Sequence, residues 1–256
     1  MTVCILGNSL TALALAKALV NHEIEVHVYF NKTNYKISNS RTIGISKNNI
    51  DFFNSNIINI KKLLWNLKRI EIFSEHLGKE KLVGFKANEN QLFSIIKNYK
   101  LYKLLEKDLS KNKFFRSKFL NKKKLSFLKK YELIINCDPS NFITNRFFSK
   151  KITKRYNSKA YTTIITHEQI ENDTAFQIFT KKGPLAFLPI SKRETSIVYS
   201  VHNSINKKEE DVFIDNNFDT GQNKIFSSFI GCAVPELWCV QSAKRSGTVV
   251  CTVRKQ

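Results

Sequence analysis

The apolar positions of this chain begin as one short unbroken run, Val3-Cys4-Ile5-Leu6. A run of that length suits a strand buried on both faces. Gly7-Asn8-Ser9 follows as a turn signal. Leu10 to Val20 is rich in Ala and Leu with Lys17 as its only charge, which predicts a buried helix. Glu25 to Phe30 returns to a strand pattern. Strand, tight turn, helix and strand within about 30 residues make a βαβ unit.

Downstream, Asn31 to Ser40 reads as a loop and Arg41 to Ser46 as a short strand or turn. Phe53, Ile57, Ile60, Leu64 and Leu67 recur at near-helical spacing, so a helix is expected within Ile50 to Leu67. Ile70 to Phe73 and Lys81 to Phe85 read as strands, Asn90 to Ile96 as the start of a helix. Leu101, Leu104, Leu105 and Leu109 mark one helical face, and Glu132 to Cys137 is an apolar strand. Four β-rich runs then follow closely: Ala160 to Thr166, Ala175 to Thr180, Leu185 to Ile190 and Thr195 to Val201. Their short spacing predicts antiparallel pairing, with Gly183-Pro184 in a connection.

The expected fold is α/β, a Rossmann-like βαβ domain with a mostly antiparallel β subdomain. The boundaries expected are 1–150, 151–217 and a tail at 218–256. Within that tail, Gly231 to Gln256 holds no Ile, Asn or Phe but three of the five cysteines. It reads as a segment beyond a break in the original reading frame.

Composition narrows the function classes. Hydrophobic residues make up 42% of the 256, enough for a real core, so disorder is excluded. The five cysteines, Cys4, Cys137, Cys232, Cys239 and Cys251, form no CxxC, and a disulfide scaffold or zinc site is not expected. No apolar run reaches about 18 residues and no basic stretch precedes the first strand, which predicts a cytoplasmic protein. Net charge is +21, from 42 Lys and Arg against 21 Asp and Glu. Nucleic acid, an anionic membrane surface or an anionic cofactor would each suit such an excess. Abundant Lys, Asn and Ile throughout also fits an AT-rich coding sequence. The most basic stretch is 97–130, with 13 Lys or Arg against Glu106 and Asp108. Its leucine stripe beside Lys100, Lys103 and Lys107 suits a helix lying on anionic lipid. The same stretch interleaves aromatic residues with its charges, as nucleic-acid binders do, but no RNA- or DNA-binding signature accompanies it.

The first candidate site is Gly7-Asn8-Ser9-Leu10-Thr11-Ala12, in the frame of G-x-G-x-x-G/A between strand and helix. Gly7 permits the tight turn, a small Ser9 lets a pyrophosphate approach the backbone, and Ala12 lets the helix pack closely on the strand. The helix N-terminus offers N–H groups and a partial positive charge to the phosphates. An acid at the end of the second strand would bind the ribose, but Val28-Tyr29-Phe30 runs into Asn31 instead. Asn31 keeps a hydrogen bond without its charge. The histidines His22, His27, His76, His167 and His202 are scattered and suit structural or surface roles, as Trp65 and Trp238 suit packing.

The opening VCILGNSLTALALAKAL resembles the first flavin-binding segment of the ubiquinone-biosynthesis hydroxylases. Ser40-Arg41-Thr42-Ile43-Gly44-Ile45-Ser46 resembles that family's Arg-containing segment, and Glu132 to Asn141, running on to Arg146, its strand ending in Asp-Gly. Ala175 to Phe179 and Gly183 to Pro189 resemble its β-rich substrate region. The resemblance implies an FAD-dependent aromatic-ring monooxygenase using O2 and NADH, NADPH or another donor, acting on a prenylated aromatic quinone precursor. It places Gly7, Ser9, Ala12, Asn31, Arg41 and Asp138 at the cofactor and Gly183, Pro184, Leu188 and Pro189 in the substrate cavity. It implies no catalytic side chain and no metal, because the flavin carries the chemistry. Pro139 stands where the family has Gly. The family's third flavin segment has no counterpart, so the chain reads as C-terminally truncated and is expected not to sustain hydroxylation. The alternatives are a non-catalytic flavoprotein-fold remnant and a basic nucleic-acid-binding protein.

Overall fold

In the computed structural model the described residues are 1–30, 38–77, 80–87, 92–120, 126–138, 142–147, 158–202, 240–245 and 248–253. In chain order they form β1 (Thr2–Leu6), α1 (Leu10–Asn21), β2 (Glu25–Phe30), β3 (Thr42–Ile45), α2 (Lys47–Asn56), β4 (Leu64–Leu67), β5 (Arg69–Ser74), β6 (Lys81–Lys86) and β7 (Phe93–Lys97). Then come α3 (Asn98–Leu109), β8 (Phe115–Phe119), β9 (Leu133–Asn136) and α4 (Phe142–Phe147). The strands β10 (Ser158–His167), β11 (Thr174–Thr180), β12 (Gly183–Pro189), β13 (Glu194–His202), β14 (Val240–Arg245) and β15 (Thr248–Val253) complete the order.

Two compact units divide the chain, and the division is not the linear one expected. Unit 1 is Met1–Asn39, Asn48–Leu63 and Asn98–Lys154; unit 2 is Ser40–Lys47, Leu64–Lys97 and Arg155–Gln256. The chain leaves the parallel sheet twice to lay strands in unit 2 before residue 150. Hydrophobic periodicity reports local structure and carries no record of which distant strand a segment pairs with.

Unit 1 is built on a parallel sheet in the order β8-β2-β1-β9. Alternate residues of each strand face opposite sides. Cys4, Leu6 and Tyr29 pack with Leu120, Leu128, Tyr131 and Ile143 on one side. Val3, Ile5, Val26 and Val28, all buried, line the other, where α1 lies against β1 and β2. The first cluster also holds a polar thread. His27 Nδ1 lies 2.7 Å from the Tyr131 hydroxyl, which lies 2.8 Å from that of Tyr29. Burial, and next the neighbouring Lys118, hold the His27 imidazole below its ordinary range. The neutral ring accepts from Tyr131 at Nδ1 and donates from Nε2 to Glu25 Oε1 at 3.1 Å.

Helix α3 packs on α1, with Leu101, Tyr102, Leu105 and Leu109 buried. Lys17 Nζ meets Asp108 Oδ2 at 2.6 Å beside them. Burying each leucine contributes about 1.5–3 kcal/mol. Of the leucine stripe expected to rest on lipid, Leu101, Leu105 and Leu109 are therefore buried inside unit 1, and Leu104 is half-buried. Among the described residues no helix is long and apolar enough to cross a membrane. Of the aromatic residues interleaved in that stretch, Tyr102 is buried and Phe127 packs on the core cluster, while Phe119 is exposed.

The helical spacing over Ile50 to Leu67 overruns its element. Helix α2 ends at Asn56, and Asn21 Nδ2 caps it by donating to Asn56 O and Ile57 O at 3.0 and 2.9 Å. Ile57 and Ile60 are buried from the loop beyond, while Leu64–Leu67 is strand β4. The helix expected over Asn90 to Ile96 is likewise corrected. Phe93–Lys97 is strand β7, the middle of the sheet β3-β7-β4, and α3 starts only at Asn98. The buried pair Ile95-Ile96 is β-branched and fits a central strand better than a helix.

In unit 2 an eight-stranded sheet runs β14-β15-β10-β13-β12-β11-β5-β6 among the described residues. Strands β10, β13, β12 and β11 pair antiparallel in succession, as their spacing predicts. Leu67, Ile95, Ala175 and Ile190 form a core between this sheet and the three-stranded one, with Trp65, Phe93 and Leu188 against it. Two strands of the tail, β14 and β15, extend the sheet beside β10.

His167 sits at the end of β10, buried, with Nε2 3.0 Å from Thr195 Oγ1 and Nδ1 2.7 Å from Glu168 O. Asn172 Nδ2 donates to Ser191 O at 2.8 Å beside it. Burial lowers the His167 pKa from 6.5, against the raising effects of the Glu168 carbonyl and the Glu194 carboxylate. A depressed imidazole gives stability present above the unfolded value and lost as pH falls through the folded one. Urea unfolding should therefore show stability falling from pH 7.5 to 5.5, with a shallower fall in His167→Gln. In the same assay at pH 7.5, Leu105→Ala should cost about 2–5 kcal/mol, and Leu82→Ala on the exposed edge strand β6 less than about 0.5 kcal/mol.

Candidate functional site

The carboxyl ends of the parallel strands in unit 1 carry most of the predicted cofactor residues. Strand β1 lies between β2 and β9, so the chain leaving Leu6 is hemmed on both sides. Gly7 N–H donates to Tyr29 O at 2.7 Å, and Cys137 N–H donates to Leu6 O at 2.8 Å. Gly7 adopts φ +107°, a conformation that side chains disfavour. A Cβ there would stand 3.0 Å from Asp138 Cβ and 3.3 Å from Asp138 N. Gly7 and Asp138 are thus brought into contact although 131 positions apart in the chain.

Ser9 is the N-cap of α1, in extended conformation, and its Oγ accepts from Ala12 N–H at 3.3 Å. The first intrahelical bond runs from Leu13 N–H to Ser9 O. The N–H groups of Leu10 and Thr11 precede it and have no partner within the helix. No acid occupies the first turn. The turn therefore presents backbone donors and the positive end of a 12-residue helix toward an anion. Ala12 is fully buried, which meets the expectation of close helix-on-strand packing.

Asp138 is held by neighbours that the sequence did not single out. Asn136 Oδ1 accepts from Asp138 N–H at 3.1 Å, and Asn136 Nδ2 donates to Thr144 Oγ1 at 2.6 Å. Thr144 Oγ1 donates in turn to Asp138 O at 3.3 Å. This knot fixes the exit of β9 against the Gly7 turn. An Asn two residues before Asp is a common turn signal, and that is the only trace it leaves in the sequence. Cys4 lies beneath the turn with its thiol pushed up to about 12 by burial, against a smaller lowering by Lys130. It is a packing group and not a nucleophile.

Asn31 and Pro139 lie outside the described residues. Arg41 belongs to unit 2, exposed, just before β3. Gly183, Pro184, Leu188 and Pro189 all lie on β12, so the expected Gly183-Pro184 connection is corrected to the start of a strand. Alternation along β12 puts Gly183 and Pro189 on one face and Pro184 and Leu188 on the other, so the four do not line one cavity. Leu188 packs on the core between the two sheets. Gly183, at φ +140°, serves the close approach of β13, since a Cβ would stand 1.9 Å from Ser200 O.

No protein-family model and no curated protein matches the chain. Solved structures do match its fold. PqsL, a probable FAD-dependent monooxygenase from Pseudomonas aeruginosa, aligns at TM-score 0.65 and 12% identity over 91% of this chain and 66% of its own. The p-nitrophenol 4-monooxygenase PnpA from Pseudomonas putida gives 0.65 and 9% over 85% and 62%. Klebsiella pneumoniae HpxO, complexed with FAD and uric acid, gives 0.62 and 12% over 85% and 61%. This chain thus spans about two thirds or less of the length of these structures. The fold is the mixed α/β fold of FAD-dependent monooxygenases.

The Gly7 turn generates a direct test. Gly7→Ala should lower unfolding stability by about 1–3 kcal/mol, through a strained φ and the contact with Asp138. Thr11→Ala, on the exposed side of α1, should stay within about 0.5 kcal/mol. Chemical denaturation of the two variants beside the wild type decides it.

Proposed function

We propose that the chain is an FAD-binding protein of the aromatic-ring monooxygenase type. The observation that carries the reading is the Gly7 turn, with positive φ, little space for a side chain, and backbone donors at the start of α1. The residues present fit a pyrophosphate. No first-turn acid repels it, and the small residues at positions 7 and 9 allow approach to the backbone. The likeness in fold to structures described as FAD-dependent monooxygenases, one complexed with FAD, supports the same reading.

In this reading, Gly7 and Ser9 form the pyrophosphate turn and Ala12 brings the helix close behind it. Asp138, steadied by Asn136 and Thr144, stands at the adjacent strand end. Arg41 and Asn31 are the further cofactor residues by resemblance. Bound FAD supplies the redox chemistry, passing one atom of O2 to an aromatic ring at the expense of a nicotinamide or other donor. The chain's own part is to bind and orient. The second strand lacks its terminal acid, and losing a charge-assisted contact commonly costs about 1.5–3 kcal/mol. Flavin retention is therefore weak. A prenylated quinone precursor as acceptor is the finer form of the proposal, and it rests on the sequence resemblance alone.

Titration of the purified chain with FAD, followed by absorbance and equilibrium dialysis, tests the reading. Saturable binding is expected, weakened tenfold or more in Gly7→Ala. Oxygen uptake with NADH or NADPH and a phenolic acceptor then separates the hydroxylase from a flavin binder without turnover. Absence of saturable FAD binding to the wild type would remove the proposal.

A further inference from the structure

We infer that His27 is a proton-operated latch of unit 1: its neutral imidazole holds the strand β8 against β2 through Lys118, and a proton on Nδ1 expels Lys118 and loosens the strand. His27 is buried on β2, paired in register with Cys4 of β1 on one side and Arg116 of β8 on the other. Both ring nitrogens are engaged. Nε2 lies 3.1 Å from Glu25 Oε1, and Nδ1 lies 2.7 Å from the Tyr131 hydroxyl and 3.4 Å from Lys118 Nζ. An ammonium only donates and a carboxylate only accepts. The partners therefore fix the tautomer, with the proton on Nε2 and the lone pair on Nδ1.

A second proton on the ring conflicts with this arrangement. On Nδ1 it faces the Lys118 ammonium, which sets two positive groups 3.4 Å apart. It also meets the hydroxyl that Tyr131 donates, so the thread from Tyr29 through Tyr131 to His27 must reverse. Tyr131 does not relieve the conflict by ionising, since burial and next the hydrogen bond of Tyr29 raise its phenol above the ordinary range. The other neighbours offer little help. Cys4 stays a neutral thiol, and Arg116 turns its guanidinium back onto Lys113 O and Phe115 O at 3.0 and 2.9 Å. Lys130 lies over the Tyr131 ring at 5.3 Å and adds a further positive charge. Burial first, then Lys118, hold the imidazole neutral against the pull of Glu25.

The element that answers is β8. It is the edge of the parallel sheet, with β2 its one strand neighbour among the described residues. Lys118 pairs with Tyr29 and reaches in from it, half-buried, to the ring two residues earlier on β2. Every other residue of β8 is exposed or half-buried, so the strand has little apolar burial to hold it once Lys118 leaves. Strands β1 and β2 keep Val3, Ile5, Val26 and Val28 buried on the opposite face. The sign follows from linkage. An imidazole depressed below its ordinary 6.5 contributes stability present above that value and lost as pH falls toward the folded one. The latch is closed at neutral pH and opens in mild acid.

Amide hydrogen exchange of the full chain, followed by NMR from pH 7.5 to 5.5 and corrected for intrinsic rates, tests the latch. In wild type the amides of Phe115–Phe119 should open roughly tenfold more for each pH unit below 6.5, until the folded titration is passed, while those of β1 hold. His27→Gln keeps a polar side chain that does not titrate, and its β8 amides should show no such acid loosening. His167 lies in unit 2 and is intact in every variant, so β8 is read apart from it. Imidazole nitrogen shifts then follow His27 itself. Lys118→Met removes the facing ammonium and should move the His27 midpoint up; Glu25→Gln removes the carboxylate and should move it down. These two variants alter exposed or half-buried side chains and decide the matter if His27→Gln does not fold. Wild-type β8 amides that track those of β1 at every pH overturn the latch. So does acid loosening that persists in His27→Gln, or a His27 midpoint that neither flanking variant moves.

Discussion

The close approach of Gly7 to Asp138 is the constraint on which unit 1 turns. Three parallel strands reach the same edge there, and the central one must release the chain without striking its neighbour. A Cβ at residue 7 would crowd Asp138 Cβ at 3.0 Å, and the backbone runs there at φ +107°. Only then does α1 start at the edge with its amino end outward. The hydrogen bonds from Gly7 to β2 and from Cys137 to Leu6 lock the crossing on both flanks. A steric requirement of the fold thus sets the turn from which the N-terminus of α1 starts. The second and third glycines common at such turns are not needed for the geometry, because Ser9 caps the helix and Ala12 is small enough to be buried.

Gly183 shows why the same logic does not make every obligatory glycine a site. It too has positive φ and no room for a side chain, with Ser200 O occupying the space. Its neighbours are the strands of an antiparallel sheet, and among the described residues no helix starts beside it. Thr180 Oγ1 donates to Gly183 O at 2.7 Å and closes the hairpin instead. Identical backbone demands produce a turn in one unit and a candidate ligand edge in the other. What differs is the element that follows.

The legible part of the fold was the part written in local periodicity. The βαβ start, the strands at 70, 81 and 132, and the four β runs after 160 all fall where apolar spacing puts them. The lost part was decided by partners distant in sequence. Phe93–Lys97 has a pattern that helix and strand share, and only its place between β3 and β4 selects the strand. Phe115–Phe119 hides in a stretch read for its charge, because its parallel partner β2 lies some 90 positions earlier. Of the candidate site, Gly7, Ser9 and Ala12 could be read from turn chemistry, and Asp138 from a resemblance. Asn136 and Thr144 could not, since their roles are hydrogen bonds to one another across a turn. The four residues of the expected substrate wall alternate between the two faces of β12, by the one rule that sequence does supply once the strand is known.

The charge excess takes a different meaning once the leucines of α3 are accounted for. Had that stripe been free, lysines beside it would have completed a membrane-seeking face. Buried on α1, it leaves Lys100, Lys103 and Lys107 as solvated charge above a filled core. Charge of this kind does not select a ligand, since a long-range field falls off within about 8–10 Å at physiological salt. It raises the local concentration of any anion, nucleic acid and dinucleotide alike. Discrimination must then come from short-range geometry. In unit 1 the candidate geometry is the Gly7 turn, where a side chain would crowd Asp138, beside the capped start of α1. A polyanionic strand would satisfy the field, but its repeating phosphates have no counterpart in one helix N-terminus.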